Sequence, residues 1–143
     1  MSYQYNEKKI VIVLSSKIQP EIALNVVGHL SISLGAYADK TLMGRKELLD
    51  NDNLKHIGIS KYPLICTKVK PSKLKKVVKD CRSNAKLLYI DFPINMLETN
   101  HDDELFNSLK NTKEDDINYL GILIYGDSIE VNTITSKFTL WKS

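Results

Sequence analysis

Residues Lys9 to Leu14 read KIVIVL, an unbroken run of β-branched and aliphatic side chains between polar neighbours. A strand with one wet face alternates apolar and polar residues, so a run without alternation needs cover on both faces. That requirement calls for a layer on each side of a sheet, and the next segment supplies one. After SSKIQ, Pro20 suits the first position of a helix and Glu21 suits its positive end. Ile22, Ala23, Val26, Val27, Leu30 and Leu34 then recur at helical spacing, and Gly35 is a stop signal.

The alternation continues. Pro63 to Val69 (PLICTKV) reads as a second strand, and Ser72 as the N-cap of a helix that turns Leu74, Val77, Val78 and Cys81 inward. Ala85 to Ile90 (AKLLYI) is a third strand ending at DFPIN, where Pro93 halts regular pairing. A short acidic helix falls between Met96 and Asn111, and Asn118 to Tyr125 (NYLGILIY) is the fourth strand. From Ala38 to Ser60 the pattern weakens: RKELLDNDN suggests one short helix and LKHIGISKYP a long loop. The terminal IEVNTITSKFTLWK is ambiguous, its β-branched content favouring strand and the spacing of Ile129, Asn132 and Thr133 fitting a short helix equally. Strands alternating with helices predict an α/β fold: one domain over residues 1–143, three layers (α/β/α), around a mixed, mostly parallel four-stranded sheet.

Bulk properties narrow the class. A chain of 143 residues can bury roughly 68–70% of its unfolded surface in one core. No apolar run approaches the ~20 residues that span a bilayer, so no membrane association is expected. The apolar part of MSYQYNEKKIVIVLSS is too short for a secretory leader. Cys66 and Cys81 stand in unrelated contexts without metal-ligand spacing, which suits a reduced cytoplasm. A net charge of +3 does not by itself argue for nucleic acid. There is no glycine-rich phosphate loop, nucleophile elbow or H-x-x-x-H pair, so neither a metal nor a cofactor is expected.

Four features could carry chemistry. Glu21, Asn25, His29 and Ser33 form a polar file on the first helix. Its plain reading is a solvent face, but Glu21 and Asn25 follow the first strand, where α/β proteins gather ligands. Between Lys68 and Lys86 stand Lys68, Lys70, Lys73, Lys75, Lys76, Lys79, Arg82 and Lys86 against Asp80 alone, either a solvated helix face or a footprint for RNA or another polyanion. An acidic counterpart runs from Glu98 to Asp116, and opposed patches of this kind suit self-association. His56 sits beside Gly58 in a loop-like segment, and Asp91 lies just past an apolar strand, a position where carboxylates act on ligands or cap turns.

These residues bring out a resemblance. KIVIVL, EIALNVVGHLSISLGAY, YPLICTKVK, KLLYIDF, YLGILIYG and SIEVNTITSKFTLW follow the order of the type II peptidyl-tRNA hydrolase fold over nearly the whole chain. Asn25 and HIGISKYP further resemble a bacterial family of uncharacterised proteins built on that fold. The resemblance implies a helix at Asp127–Thr135, a strand at Lys137–Trp141 and, since the hydrolases are dimers, a homodimer, for which Ile134, Phe138 and Trp141 offer apolar surface. It also exposes departures. The hydrolase's helix-initiating lysine becomes Glu21 and its glutamine becomes Asn25. The basic loop shrinks to Lys17, and only Asp91 matches, followed by FPINMLETN in place of a threonine and glycine-rich stretch. A carboxylate where an ammonium would stand repels phosphate and developing negative charge, which disfavours the usual hydrolytic route.

Three functions follow as expectations. The first is a module that binds a small ligand or partner in a crevice lined by Lys17, Glu21, Asn25, His56 and Asp91. The second is an enzyme of another class with His56 or Asp91 as base and Glu21 as acid or orienter. The third is a divergent hydrolase that grips tRNA through Lys73 to Lys79.

Overall fold

A computed structural model describes residues 3–142 of the chain; the first two residues and the last, included in the expected domain of residues 1–143, lie outside it. The elements run β1 (Lys8–Ser15), α1 (Pro20–Tyr37), β2 (Glu47–Leu49), β3 (Lys55–Ile57), β4 (Leu64–Val69), α2 (Pro71–Arg82), β5 (Leu88–Pro93), α3 (Asn95–Glu98), α4 (Asp102–Lys110), β6 (Tyr119–Asp127), α5 (Ser128–Thr135) and β7 (Thr139–Leu140). The main sheet has the order β5-β6-β1-β4-β7, and β2-β3 forms a separate hairpin.

β1 is the middle strand, and its residues divide between two cores as its unbroken apolar run requires. Ile10, Ile12 and Leu14 pack under α1 with Val26, Leu30 and Leu34. Val11 and Val13 face α2 and α5, meeting Leu74, Val77, Val78 and Val131. Helices therefore cover both faces, in three layers.

The expectation of a mostly parallel, four-stranded sheet is corrected on both counts. Among the described residues the main sheet has five strands, of which only β1 and β4 pair in parallel; β6 is antiparallel to both β1 and β5, and β7 is antiparallel to β4. An apolar run reports that both faces are covered and carries no information on direction, because an antiparallel strand between helices reads the same way. The fifth strand is β7, two residues within the predicted Lys137–Trp141 segment. The implied helix before it is present as α5. Ile134, Phe138 and Trp141, read as an association surface, pack instead against the two cores.

Four local expectations also shift. RKELLDNDN is the turn side of the β2-β3 hairpin, not a helix: Asn53 takes a left-handed φ of 64°, and the Asp50 carboxylate accepts from the amides of Asp52 and Leu54 at 2.9 and 3.0 Å. α1 runs past Gly35 to Tyr37. α2 begins at Pro71 with Lys70 at the N-cap, two residues ahead of Ser72, because proline's fixed φ suits the first helical residue. Pro93 is the last residue of β5 and pairs with Tyr119 across a register shift, so regular pairing stops there as expected, although the strand itself runs three residues past Ile90.

Candidate functional site

The residues expected to line one crevice are dispersed. Glu21 and Asn25 are exposed on α1. His56 lies on the hairpin, its Nε2 2.9 Å from the Asp50 carboxylate, and this contact holds the Asp50 carboxyl below its ordinary value. The neighbouring glycine has a structural reason: a Cβ on Gly58 would stand 1.7 Å from the Arg45 carbonyl oxygen. Lys17 sits in the loop after β1, its amide donating to the Ser15 hydroxyl at 3.2 Å.

Asp91 lies inside β5, not beyond it. Its neighbours Ile90 and Phe92 pack toward α1 while Tyr89 packs toward α2, so strand alternation sends the Asp91 side chain to the α2 face. Burial pushes its carboxyl above the usual carboxylate range, and Arg82 opposes that shift. The arginine also belongs to a small network: Tyr119 donates to the Glu114 carboxylate at 2.6 Å, and Arg82 stands 3.4 Å from the Tyr119 hydroxyl and 3.8 Å from Glu114. Asp91 pairs with Ile122, and Ile122 with Val13, so two strand spacings, about 10 Å, separate it from β1. No hydrogen bond joins Lys17, Glu21, His56 and Asp91 among the described residues. The acid–base arrangement drawn from the sequence needs contacts of about 2.6–3.2 Å, and its members sit on different elements.

Another group does converge. β1 and β4 are the parallel pair, so their carboxyl ends share one edge and both following helices begin there. The Ser16 amide donates to the Val69 carbonyl at 2.8 Å, tying the two ends together. β7 pairs with β4 through Lys68 and Thr139, which brings Lys137 to the same edge. The result is an open crevice of about 470 Å³ lined by Ser16, Lys68, Lys70, Ser72, Lys73 and Lys137, with Phe138 in its wall. The Lys73 ammonium lies 5.8 Å from the centroid of the Phe138 ring.

The charge of this crevice is uncompensated. No acidic side chain lines it, and none of its four lysines joins an ion pair among the described residues. The rest of the basic segment differs: Lys76 pairs with Asp80 at 3.1 Å, Arg82 with Glu114 at 3.8 Å and Lys86 with Glu130 at 3.3 Å, while Lys75 donates to the Asp115 carbonyl. The acidic segment thus serves partly as an intramolecular counterpart to the basic one. At the crevice, the N-cap Lys70 supplies no side-chain acceptor to the first turn of α2, so backbone N–H groups add to the positive potential.

Sequence reasoning found Lys68, Lys70 and Lys73 but read them as part of one continuous basic face. It missed Lys137, whose approach depends on the β4–β7 pairing. Among the described residues no three histidine, cysteine, aspartate or glutamate side chains come together to hold a metal ion, and no helix is long and apolar enough to cross a membrane.

Comparison with known proteins fits this architecture. The structure of Atu0240 from Agrobacterium tumefaciens str. C58, a protein of unknown function, superposes with a TM-score of 0.83 over 95% of this chain and 98% of that one, at 18% identity, which shows a shared fold. No curated protein matches. A model of proteins of unknown function, DUF2000, matches residues 8–142, and the chain belongs to that family.

Proposed function

We propose that this chain is a binding module for a small phosphorylated anion, held in the crevice between the ends of β1 and β4. One observation carries the reading: four lysines without acidic partners share a concave site, while three of the neighbouring cations, Lys76, Arg82 and Lys86, are paired within the chain. Ligands of α/β proteins collect beyond the carboxyl ends of strands, and a volume of about 470 Å³ falls in the range of small-molecule sites. An ammonium and a phosphate oxygen ~4 Å apart attract by about 4 kcal/mol at an effective dielectric of 20, an upper figure for an open site.

The same compensation pattern argues against RNA as the principal ligand. A nucleic-acid track needs a run of free cations, and the basic run is interrupted on α2 at Lys76 and Arg82 and beyond it at Lys86. The type II peptidyl-tRNA hydrolase-like scaffold remains our reading of the fold, supported by the order of elements and by the α5–β7 ending. Loss of the hydrolytic route is supported by Glu21 at the lysine position and by Asp91, where Arg82 and Glu114 are the acting charges and Lys17 is not among them. A bacterial, cytoplasmic protein that forms homodimers belongs to the same reading, and sedimentation reports its mass directly.

Titration calorimetry with pyrophosphate and with a short single-stranded RNA tests the function. Saturable one-to-one binding of pyrophosphate that equals or exceeds the RNA affinity per site supports it. Tight RNA binding with a steep salt dependence and no pyrophosphate binding would replace it with an RNA-binding role.

A further inference from the structure

The polar file on α1 divides. Glu21, Asn25 and His29 are exposed and Ser33 is half-buried, and only the second half, His29 and Ser33, lies at the mouth and wall of a partly enclosed cavity of about 210 Å³ between α1, β5 and the α3–α4 segment. Leu30, Phe92, Met96 and Leu105 supply most of the wall, and the His29 ring lies 6.1 Å from that of Phe92. Nearby polar groups bond elsewhere: Asn95 donates to the Ser108 hydroxyl at 2.8 Å, and Thr99 to the Asn95 carbonyl at 2.9 Å. The imidazole and hydroxyl, one helical turn apart, are the polar side chains that α1 brings to this space; Asp91 also borders it, as part of β5, with its side chain alternating to the opposite face of the sheet. The roof is loosely held, since α4 buries none of its residues. Helices with few buried contacts open at low cost, which gives a ligand a way in.

We propose that this cavity is a second binding site, taking a small, mainly apolar molecule with one ring or an equally bulky branched skeleton and a single hydroxyl group. An apolar cavity of about 150 Å³ accommodates benzene. The larger volume here admits a ring with a short substituent, and His29 and Ser33 can each donate to or accept from its hydroxyl. Apolar walls with a few placed polar groups are the usual composition of a small-molecule pocket. The site lies on the α1 side of the sheet and shares no residue with the lysine crevice.

The test is an NMR titration of the isotope-labelled full chain with benzyl alcohol and with toluene, the same ring without the hydroxyl. Saturable shifts confined to amides near His29–Ser33, Ile90–Phe92 and Leu105, with benzyl alcohol bound severalfold more tightly, support the proposal. Ser33→Leu, which fills the space with a good helix former, weakens both probes more than tenfold; Ser33→Met serves if the leucine variant loses its dispersed spectrum. His29→Leu brings the two affinities within about twofold of each other. No saturable shift with either probe, shifts centred elsewhere, or binding indifferent to filling the cavity would overturn it. Pyrophosphate shifts recorded on the same sample report the lysine crevice separately.

Discussion

The amide of Ser16 donates to the carbonyl of Val69 at 2.8 Å, so the residue after β1 is fixed to the last residue of β4. That bond extends the one parallel pairing of the sheet by a residue and places the starts of α1 and α2 along a common edge. The lysine crevice exists because of it: Lys70, Ser72 and Lys73 belong to the start of α2, and Ser16 belongs to the turn toward α1.

Lys137 should matter to binding although it lies far along the chain from the other lysines. Lys137→Ala is expected to weaken pyrophosphate severalfold while changing stability by less than about 0.5 kcal/mol, since the side chain is exposed and unpaired. Calorimetry and thermal melting on the same sample measure both.

Tyr119→Phe should cost about 0.5–1.5 kcal/mol at neutral pH through loss of its bond to Glu114. The phenol holds the Glu114 carboxyl below its ordinary 4.5, so the stability contributed is present above that value. It is lost as pH falls through the lowered native value. Denaturant unfolding of wild type and variant should therefore show a gap at pH 7 that narrows below about pH 4. An unchanged gap down to pH 2 would contradict the assignment.

Alkali should unfold the protein through its buried phenols. Burial pushes Tyr119 and Tyr125 up from 10.0 to about 12. Both favour the native state fully below pH 10 and lose that effect as pH rises toward 12. Tyrosinate absorbance is expected to show Tyr119 and Tyr125 ionising last of the seven tyrosines, with Tyr62, which burial also pushes up, later than an ordinary phenol, together with loss of the native circular dichroism signal.

Gly121→Ala should destabilise by about 1–3 kcal/mol through overpacking. Its Cβ would meet Leu14 Cδ2 and Val26 Cγ1 at 3.0 Å, where β6 and β1 lie beneath α1. Denaturant melts test this directly, and a change under 0.5 kcal/mol would mean that α1 shifts freely over the sheet.

β1, α1, β4 and α2 could be read from the sequence because each announces itself through its own periodicity. The β2-β3 hairpin could not: its strands are three exposed residues each, organised by the Asp50 carboxylate and the left-handed Asn53. Strand direction was equally hidden, since β6 shows the same apolar run in either orientation. At the site, Lys68, Lys70 and Lys73 were visible as a charge run, and Lys76–Asp80 follows the i, i+4 rule. The pairing of Arg82 with Glu114 and the arrival of Lys137 span tens of residues and arise from sheet order alone. Asp91 was read as a ligand-facing or turn-capping carboxylate just past a strand; its burial and its facing follow from its register inside β5, which a strand end drawn at Ile90 concealed.

The most direct measurement is pyrophosphate affinity in the wild type, in Lys70→Glu/Lys73→Glu and in Lys76→Glu at one ionic strength. The account predicts at least about thirtyfold weaker binding for the double variant, about 2 kcal/mol, and a change below threefold for Lys76→Glu, whose partner Asp80 already neutralises it. Equal losses in both variants would mean that net charge, and not the crevice at the ends of β1 and β4, governs binding, and would contradict the central claim.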